Sequence, residues 1–482
     1  MLKSRIFNNV TNLCFWLGKD PDMKLGLQCI PNIIDFSKGV NTYTNSNEID
    51  KWLDFVRLLK HPAFGRLWLV HELALARNAT IHIDTDAIHY SDFVDAMSLF
   101  MSNHTEMSLL FRRNNMNYRQ LNGREIKRAQ HFVDVTRDAL RVDDSGQFHY
   151  KMTIEYLVSL LSDYSCSHPC DRIFAMVAIS RDAQPNCDRY YKLHPNYTKS
   201  TIAVCQDFVA HCIETSRSLD ILCRPWAASI AEGGLKLPTW ICPVRSPIQK
   251  VFDTSPERTS AESFVGLPGN KVYNASKGAH INFRIVSRPS SQDAKSLLVT
   301  GFLIDTIATL APRAEDSGIS PEWLQLGGCD VDNGIIWDEF SRVLVANRGP
   351  NGSAVPRWYD RAFVYCLQFR VNGTISPSKI TAKSSHVIDF LQRVEPIIWN
   401  RKLFVSRDRE LIGLAPTACE VGDIICVLHG CSVPVVLRPS WDAHGESYNL
   451  LVGECYVHGM MDGEAVEMQK EEDIEVCEIE IR

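Results

Sequence analysis

The stretch RKLFVSRDRELIGLAPTACEVGDIICVLHGCSVPVVLRP (401–439) is followed, after a polar gap, by YNLLVGECYVHGMMDGEA (448–465). Short apolar runs separated by Gly, Pro, Asp and Glu are typical of β-strands joined by tight turns. The runs are Leu403–Val405, Leu411–Leu414, Ile424–Leu428, Val433–Leu437 and Leu450–Val452. The stretch therefore predicts a small β-barrel-like module over 396–482, in which we place no catalytic residue.

Length, charge and cysteine content set the class of protein. The chain has 482 residues, and a length of this order allows about two to four domains. Its 51 Lys and Arg against 57 Asp and Glu, without a long basic run, argue against nucleic acid as a partner. No uncharged apolar window is long enough for a membrane span. The sixteen cysteines are scattered among apolar neighbours, which indicates reduced, buried thiols and a cytoplasmic protein.

Residues 1–110 alternate strand-period and helix-period segments, which indicates an α/β fold. The predicted elements are a strand run Leu13–Leu17 ended by Gly18, helices Asp50–Leu59 and Phe64–Ala76, a strand Thr80–Ile83, and a helix capped by Ser91 that carries Phe93, Val94, Met97 and Phe100 on one side.

Two further regions separate this α/β region from the β-rich module. Residues 111–230 are predicted to be mainly helical, and residues 231–395 to be mixed with long loops. Helical spacing recurs in Ile154–Leu161, Arg172–Ile179 and Thr201–Ile213, with a helix end near Ser216. The polar and basic segment 111–150 predicts an exposed helix or a mobile connection. Segments 243–295 and 312–360 predict loops, and the acidic C-terminal residues predict an edge strand or a frayed tail.

Motifs with a defined chemistry are few. The chain lacks a GxGxxG, a phosphate-binding loop ending in Lys-Ser or Lys-Thr, an HExxH and a GxSxG elbow, so we expect no cofactor. CSHPC (166–170) offers two thiols and an imidazole to zinc, but a second ligand pair at similar spacing is absent. We favour no metal, and a turn before a helix, with Pro169 at or near the first helical position and Asp171 at the positive end of the helix dipole.

The segment FGRLWLVHELALARN (64–78) places Trp68, His71, Glu72 and Leu75 on one face of a helix. Glu72 could serve as a general acid or base. Because no partner nucleophile is recognisable, we favour a partly buried structural helix with Trp68 in the core, and with Glu72 and His71 bonded to backbone or to Arg66. A Cys/His nucleophile pair stays open, since nothing selects one pair among many.

Four passages in order resemble the fungal heterokaryon-incompatibility (HET) domain proteins. They are VTNLCFWLGKD (10–20), HPAFGRLWLVHELALARNATIHI (61–83), CSHPCDRIFAMVAIS (166–180) with the downstream 194–222 and 237–241, and the C-terminal stretch quoted first. The positions that carry the family motifs are Trp16, Gly18, Arg66, Trp68, Glu72, Pro169, Asp171, Gly422, Asp423, Gly459, Asp462 and Gly463.

The chain also departs from the family pattern. His71 stands where the family usually has Gln, and His168 and Cys170 stand where it has Asp and Arg. The family's first strand-helix portion, with its Trp-Ile-Asp-Ala-Ile-Cys-Ile-Asn-Gln segment, has no counterpart. We therefore expect the sequence to start inside the domain, as a truncated gene model, a degenerate paralogue or a protein that needs a partner.

The resemblance implies a partial TIR- or flavodoxin-like α/β layout and a cytoplasmic fungal protein of non-self recognition and programmed cell death. It implies a signalling or interaction module that works through protein partners or self-association. The alternatives are a TIR-like nucleotide-cleaving enzyme that uses Glu72, and an inactive truncated paralogue. We favour the interaction module, because no ribose- or phosphate-binding loop is recognisable near Glu72.

Overall fold

The computed structural model of the chain contains two compact units. Unit 1 comprises Met1–Tyr197 and Val244–Glu257, and unit 2 comprises Thr198–Pro243 and Arg258–Arg482. The structure describes residues 6–7, 10–35, 49–114, 121, 123–142, 148–184, 193–224, 238–241, 263–287, 295–315, 318–330, 335, 337, 339–376 and 385–482.

Unit 1 combines helices with a small mixed sheet. Its strands are β1 (Leu13–Trp16), β2 (Ala79–Ile83), β3 (Asp86–His89), β4 (Leu140–Val142) and β5 (Phe148–Tyr150). Its helices are α1 (Pro21–Ile33), α2 (Ile49–Leu59), α3 (Leu67–Leu75), α4 (Tyr90–Ser102), α5 (His104–Arg113), α6 (Arg124–Asp138), α7 (Ile154–Leu160) and α8 (Asp171–Val177). β1 pairs with β2 in parallel and β3 joins β2 antiparallel, while β4 and β5 form a separate hairpin.

An aromatic core holds unit 1 together. Phe64 stacks on Phe93 with ring centroids 5.1 Å apart, and Phe15 and Phe132 meet Phe64 edge-on at 5.7 and 5.4 Å. These rings come from β1, α4, α6 and a 3₁₀ turn at Pro62–Gly65. Such pairs contribute about 0.5–1.5 kcal/mol each beyond the apolar area that they bury.

Two predicted element boundaries in unit 1 are wrong. The helix expected over Phe64–Ala76 is divided into the 3₁₀ turn and α3, because Arg66 adopts an extended backbone with φ −92° and ψ 119°. The cap of α4 is His89, whose Nδ1 accepts the backbone N–H of Ser91 at 3.3 Å. The imidazole supplies the acceptor that a serine hydroxyl was expected to supply.

The polar segment 111–150 contains a helix, which confirms one of its two interpretations. α6 buries Ile126, Phe132, Val133 and Val135 along one side, so it is amphipathic and not exposed all round. Residues 115–120, 122 and 143–147 lie outside the described residues. The helices α7 and α8 confirm two of the predicted helical segments.

Unit 2 begins with α9 (Thr201–Ser216), a predicted helix that ends at the expected residue. A 3₁₀ turn at Asp220–Cys223 follows. The remaining helices are α10 (Pro321–Leu326), α11 (Phe340–Leu344), α12 (Trp358–Leu367), α13 (Ser385–Ile398) and α14 (Glu464–Glu471). The strands are β6 (Phe283–Ser287), β7 (Lys295–Leu310), β8 (Arg401–Ser406), β9 (Ile412–Pro416), β10 (Ile424–Leu428), β11 (Val435–Trp441), β12 (Ser447–Glu454), β13 (Tyr456–Val457) and β14 (Cys477–Ile481).

The nine strands described in unit 2 form one sheet organised around β7. β7 pairs antiparallel with β6, β8, β10 and β14, and β10 continues through β11 to β12. β12 meets β14 at a single parallel pair, Asn449–Ile481. β8, β9 and β13 continue the sheet from β7 and end at β13, so the described strands do not all close into one barrel. The core of the sheet contains buried residues of seven strands, among them Phe302, Phe404, Ile425 and Val452.

The structure confirms the coarse fold, with helices in the N-terminal region and a strand-rich C-terminal sheet. The C-terminal residues expected to be an edge strand or a frayed tail are a strand, β14, which lies between β7 and β12. The loop prediction for 312–360 is wrong in part, since this segment contains α10 and α11 and the start of α12. Within 243–295, residues 243–262 and 288–294 lie outside the described residues, and Phe283–Ser287 forms the strand β6.

Candidate functional site

Asp171 opens α8, directly after the CSHPC turn. Its backbone N–H donates to the His168 carbonyl at 2.9 Å, and Phe174 N–H donates to the Cys170 carbonyl at 2.9 Å. Cys170 is the cap and Asp171 the first helical residue, so Pro169 stands one position before the cap. The predicted turn and the place of Asp171 are confirmed, while the expected place of Pro169 is wrong by two positions.

The Asp171 carboxylate is 6% exposed and ties together three parts of unit 1. Trp68 on α3 donates its indole Nε1–H to Oδ2 at 3.1 Å, and the Tyr197 hydroxyl donates to Oδ1 at 2.7 Å. We call Trp68, Asp171 and Tyr197 the Asp171 cluster. Asp171 and Tyr197 belong to the third family passage, and Trp68 belongs to the second. Trp68 is more than a hundred positions from the other two in sequence, and side-chain hydrogen bonds bring the three together.

Tyr197 reaches Asp171 from the surface. Its ring is 56% exposed, yet it packs edge-on against Phe174 and His168 with centroids 5.2 and 5.4 Å apart. Desolvation of the hydroxyl, together with its hydrogen bond to the carboxylate, raises the pKa of Tyr197 to about 12. The phenol is therefore a fixed hydrogen-bond donor at neutral pH.

Trp68, His71 and Glu72 lie on α3 as predicted, but which of them are buried differs from the prediction. His71 is buried and meets Trp68 edge-on at 5.6 Å, whereas Trp68 is half-buried and not a core residue. Glu72 is half-buried. Arg66 is exposed and forms a parallel bridge with Ser165, whose N–H donates to the Gly65 carbonyl at 2.7 Å. The α3 residue that bonds to the motif carboxylate is Trp68.

Trp16 and Gly18 lie at the carboxyl end of β1. Trp16 pairs with His82 in β2 and is 52% exposed. Gly18 has φ +103°, a conformation that glycine adopts without strain, and its carbonyl accepts the Asp84 N–H at 2.8 Å. This glycine turns the chain from β1 toward α1.

In unit 2, Gly422 and Asp423 form the turn before β10. Asp423 is 2% exposed and accepts Nε and Nη2 of Arg438 at 2.8 and 2.9 Å. It also accepts the backbone N–H of Glu420 at 2.8 Å. The hydrogen bond to Asp423 is the main reason that the pKa of Arg438 is raised. This two-point ion pair fixes the turn to β11.

Gly459, Asp462 and Gly463 lie in the segment between β13 and α14. Arg348 Nη2 donates to both oxygens of Asp462 at 2.7 Å. Gly459 and Gly463 have φ +75° and +108°, and Gly463 caps α14. The motif residues of this segment thus determine a turn and a helix start.

Unit 2 contains a second buried ion pair, which the sequence patterns did not predict. Arg401 Nη2 lies 2.8 Å from Glu454 Oε1, and the guanidinium lies 3.7 Å above the Phe264 ring. Glu454 also accepts the Phe264 N–H at 3.0 Å. Burial raises the pKa of Glu454, although Arg401 opposes the shift. A charged residue in an otherwise apolar strand is a sequence signal for a buried ion pair, and Arg438 in β11 is an example. The sequence around Tyr197 contains no comparable signal for its bond to Asp171.

Most thiols of the described residues are buried. Fourteen cysteines there form no disulfide and eleven of them are buried, as predicted, whereas Cys14 is exposed. Within the same residues, no group of three or more His, Cys, Asp or Glu is arranged to hold a metal ion. Of the helices described, none is long and apolar enough to cross a membrane.

Comparison with known proteins finds similarity in the C-terminal part of the chain. Residues 394–476, from the last turn of α13 to the residue before β14, match the Het-6 β-barrel domain. A 62-residue segment is 39% identical to heterokaryon incompatibility protein 6, OR allele, of Neurospora crassa. The chain therefore contains a Het-6 β-barrel domain. The matched segment covers 13% of this chain and 9% of the Neurospora protein, and no solved structure matches.

Proposed function

We propose that this protein acts in fungal non-self recognition as a signalling or interaction module that leads to regulated cell death. It works in the cytoplasm through protein partners or self-association. The observation that carries the proposal is the Het-6 β-barrel match at 394–476, which coincides with a folded strand-rich sheet. The identity to an incompatibility protein over 62 residues supports the same role.

The contacts of the motif carboxylates also support a module that does not catalyse a reaction. Asp171 accepts hydrogen bonds from Trp68 and Tyr197, Asp423 accepts them from Arg438, and Asp462 accepts them from Arg348. A general acid or base must exchange its proton with a substrate. Carboxylates whose oxygens are occupied by internal donors hold elements in place instead.

Controlled expression of the full chain in a filamentous fungus tests the proposal. Induction is expected to stop hyphal growth and to admit a vital dye. Asp423→Asn, which weakens the pair with Arg438, should lose this effect, whereas Glu420→Gln should keep it. Glu420 is the matched control, since it contacts the same guanidinium at 3.0 Å but is largely exposed. Normal growth with the wild-type chain, at a protein level verified by immunoblot, would overturn the proposal.

An incubation of the purified chain with NAD addresses the enzymatic alternative. The proposal predicts a constant NAD concentration over hours at high protein concentration. NAD consumption that disappears in Glu72→Ala, with a folded variant by circular dichroism, would replace the interaction module by a nucleotide-cleaving enzyme.

A further inference from the structure

Two buried thiols from distant parts of the chain meet in unit 2. Cys223 ends the 3₁₀ turn that follows α9, and Cys431 lies in the turn after β10. Their Sγ atoms are 3.8 Å apart, although 208 positions separate them in sequence. Cys223 is 4% exposed and Cys431 is fully buried. The sulfur atoms are thus in van der Waals contact.

Hydrogen bonds on both sides of the thiols hold the two backbones together. The Gly430 carbonyl accepts the Leu219 N–H at 3.0 Å and the Ser218 hydroxyl at 3.0 Å. On the other side, Asp220 Oδ1 accepts the Ser432 N–H at 2.7 Å. These bonds hold the two backbone segments together on both sides of the thiols and so keep the two sulfur atoms next to each other.

We propose that Cys223 and Cys431 are a disulfide site, closed by a hydroperoxide and opened by a thiol reductant. One sulfur, as the thiolate, attacks the hydroperoxide oxygen and becomes a sulfenic acid, releasing an alcohol, or water from hydrogen peroxide. The second thiol displaces the sulfenic hydroxyl as water and forms the S–S bond. Two thiols and one hydroperoxide give one disulfide, one water and one alcohol. The inference is independent of the proposed role in incompatibility.

The environment keeps the resting pair reduced. The hydrogen bond with Cys431 and the burial of the site raise the pKa of the Cys223 thiol, so the reactive thiolate is scarce. The disulfide forms under sustained oxidant and not under ordinary reducing conditions. Once formed, it closes a loop from Cys223 to Cys431 that contains β6 to β10.

Closure of this loop has a measurable consequence. A disulfide that spans about two hundred residues restricts the unfolded chain more than it restricts the folded one. The Tm of the oxidised chain should therefore exceed that of the reduced chain by roughly 5 °C. The next residue, Arg224, donates to the Gly266 carbonyl at 2.6 Å, so the segment at 263–266 is stabilised together with the 3₁₀ turn.

Peptide mapping of the full chain after hydrogen peroxide treatment tests the site. Free thiols are blocked with N-ethylmaleimide, and the digest is analysed without reductant. We expect a linked peptide containing Cys223 and Cys431, a loss of two hydrogen masses, and a Tm rise that dithiothreitol reverses. Oxidation of the exposed Cys14 reports that the dose is sufficient.

Variants separate this disulfide from general oxidation. Cys223→Ala and Cys431→Ala should each abolish the Tm rise, whereas Cys366→Ala, which removes a buried thiol of α12, should retain it. Absence of the linked peptide in the wild-type chain at a dose that oxidises Cys14 would overturn the proposal. So would a Tm rise of equal size in Cys223→Ala. The wild-type map needs no variant to fold.

Discussion

Each compact unit buries one motif carboxylate, and the two units hold it by different means. Asp171 in unit 1 accepts neutral donors, an indole N–H and a phenol O–H. Asp423 in unit 2 accepts a guanidinium at two points and a backbone N–H. The partners of Asp171 lie 103 and 26 positions away in sequence, whereas Arg438 lies 15 positions from Asp423.

This difference teaches how the two units depend on their parts. The Asp423 pair joins neighbouring strands of one sheet, so both charges lie in one short segment of the chain. The Asp171 cluster joins α3, α8 and the chain at 197, so it forms only when distant elements have packed. A neutral donor contributes about 0.5–1.5 kcal/mol, and a charged donor contributes more when the pair is buried.

The largest effect is expected for Asp423→Ala. The substitution leaves the Arg438 guanidinium without its buried partner and should lower the free energy of unfolding by about 3 kcal/mol, the lower end for a broken buried pair because Arg438 keeps some exposure. Urea denaturation followed by circular dichroism measures it. Glu420→Gln, at the exposed end of the same guanidinium, should cost less than about 0.5 kcal/mol. Equal losses would remove the distinction between buried and exposed partners.

A double-mutant cycle on Trp68→Phe and Asp171→Asn measures the hydrogen bond from the Trp68 indole to Asp171, which is the neutral counterpart of the Asp423–Arg438 pair. Each change should cost about 1–2 kcal/mol, since each removes one partner of a partly buried hydrogen bond. The coupling between them should be about 1 kcal/mol, because both report on the same contact. Additive losses, with no coupling in the denaturation midpoints, would show that Trp68 stabilises unit 1 by packing and not through Asp171.

Alanine substitutions at Gly18 and Gly422 test whether the turns, and not the buried carboxylates, cause the difference in stability between the two units. Gly18 and Gly422 have similar φ values, +103° and +95°, and a Cβ meets nothing within 4 Å at either position. Both substitutions should cost about 1 kcal/mol from backbone strain. Thermal unfolding of the two variants should show equal losses, and a much larger loss at Gly422 would assign part of the unit 2 effect to the turn.

The smallest effect is expected for Tyr197→Phe, and it depends on pH. The loss should be about 0.5–1 kcal/mol, because the ring is largely exposed. The pKa of Tyr197 is raised to about 12 from the ordinary 10.0, so the unfolded chain loses this proton first. The advantage of the wild type should be complete below pH 10 and should disappear as the pH rises to about 12. Stability curves of both chains from pH 7 to 12 test this; a constant difference would contradict it.

Local patterns predicted the elements whose ends are determined by nearby residues. Leu403–Val405 and Ile424–Leu428 lie within β8 and coincide with β10, because Gly and Asp at the turns interrupt pairing on either side. α9 ends at Ser216, as the apolar spacing indicated. The 16-residue strand β7 was missed, since its apolar run was assigned to a region of loops, and its pairing partners come from four other strands.

The candidate site was predictable in part. Motif resemblance selected Trp68, Asp171, Asp423 and Asp462. It also selected Glu72 as a candidate general acid or base on α3, although a structural role was favoured for it. The sequence does not predict that Trp68 bonds to Asp171, because any of several carboxylates could accept an indole N–H. Tyr197 reaches the same carboxylate because the fold places its ring against Phe174 and His168.

By itself the sequence determined the helical and strand periods, the turns at glycines and the likeness of residues 394–476 to the Het-6 β-barrel domain, because these depend on residues close together along the chain. Only the tertiary structure decided which buried charges are paired, that Asp171 receives neutral donors, and that Cys223 meets Cys431. Each of these contacts joins residues brought together by packing of apolar faces, which is non-directional and leaves the identity of polar partners to the final geometry.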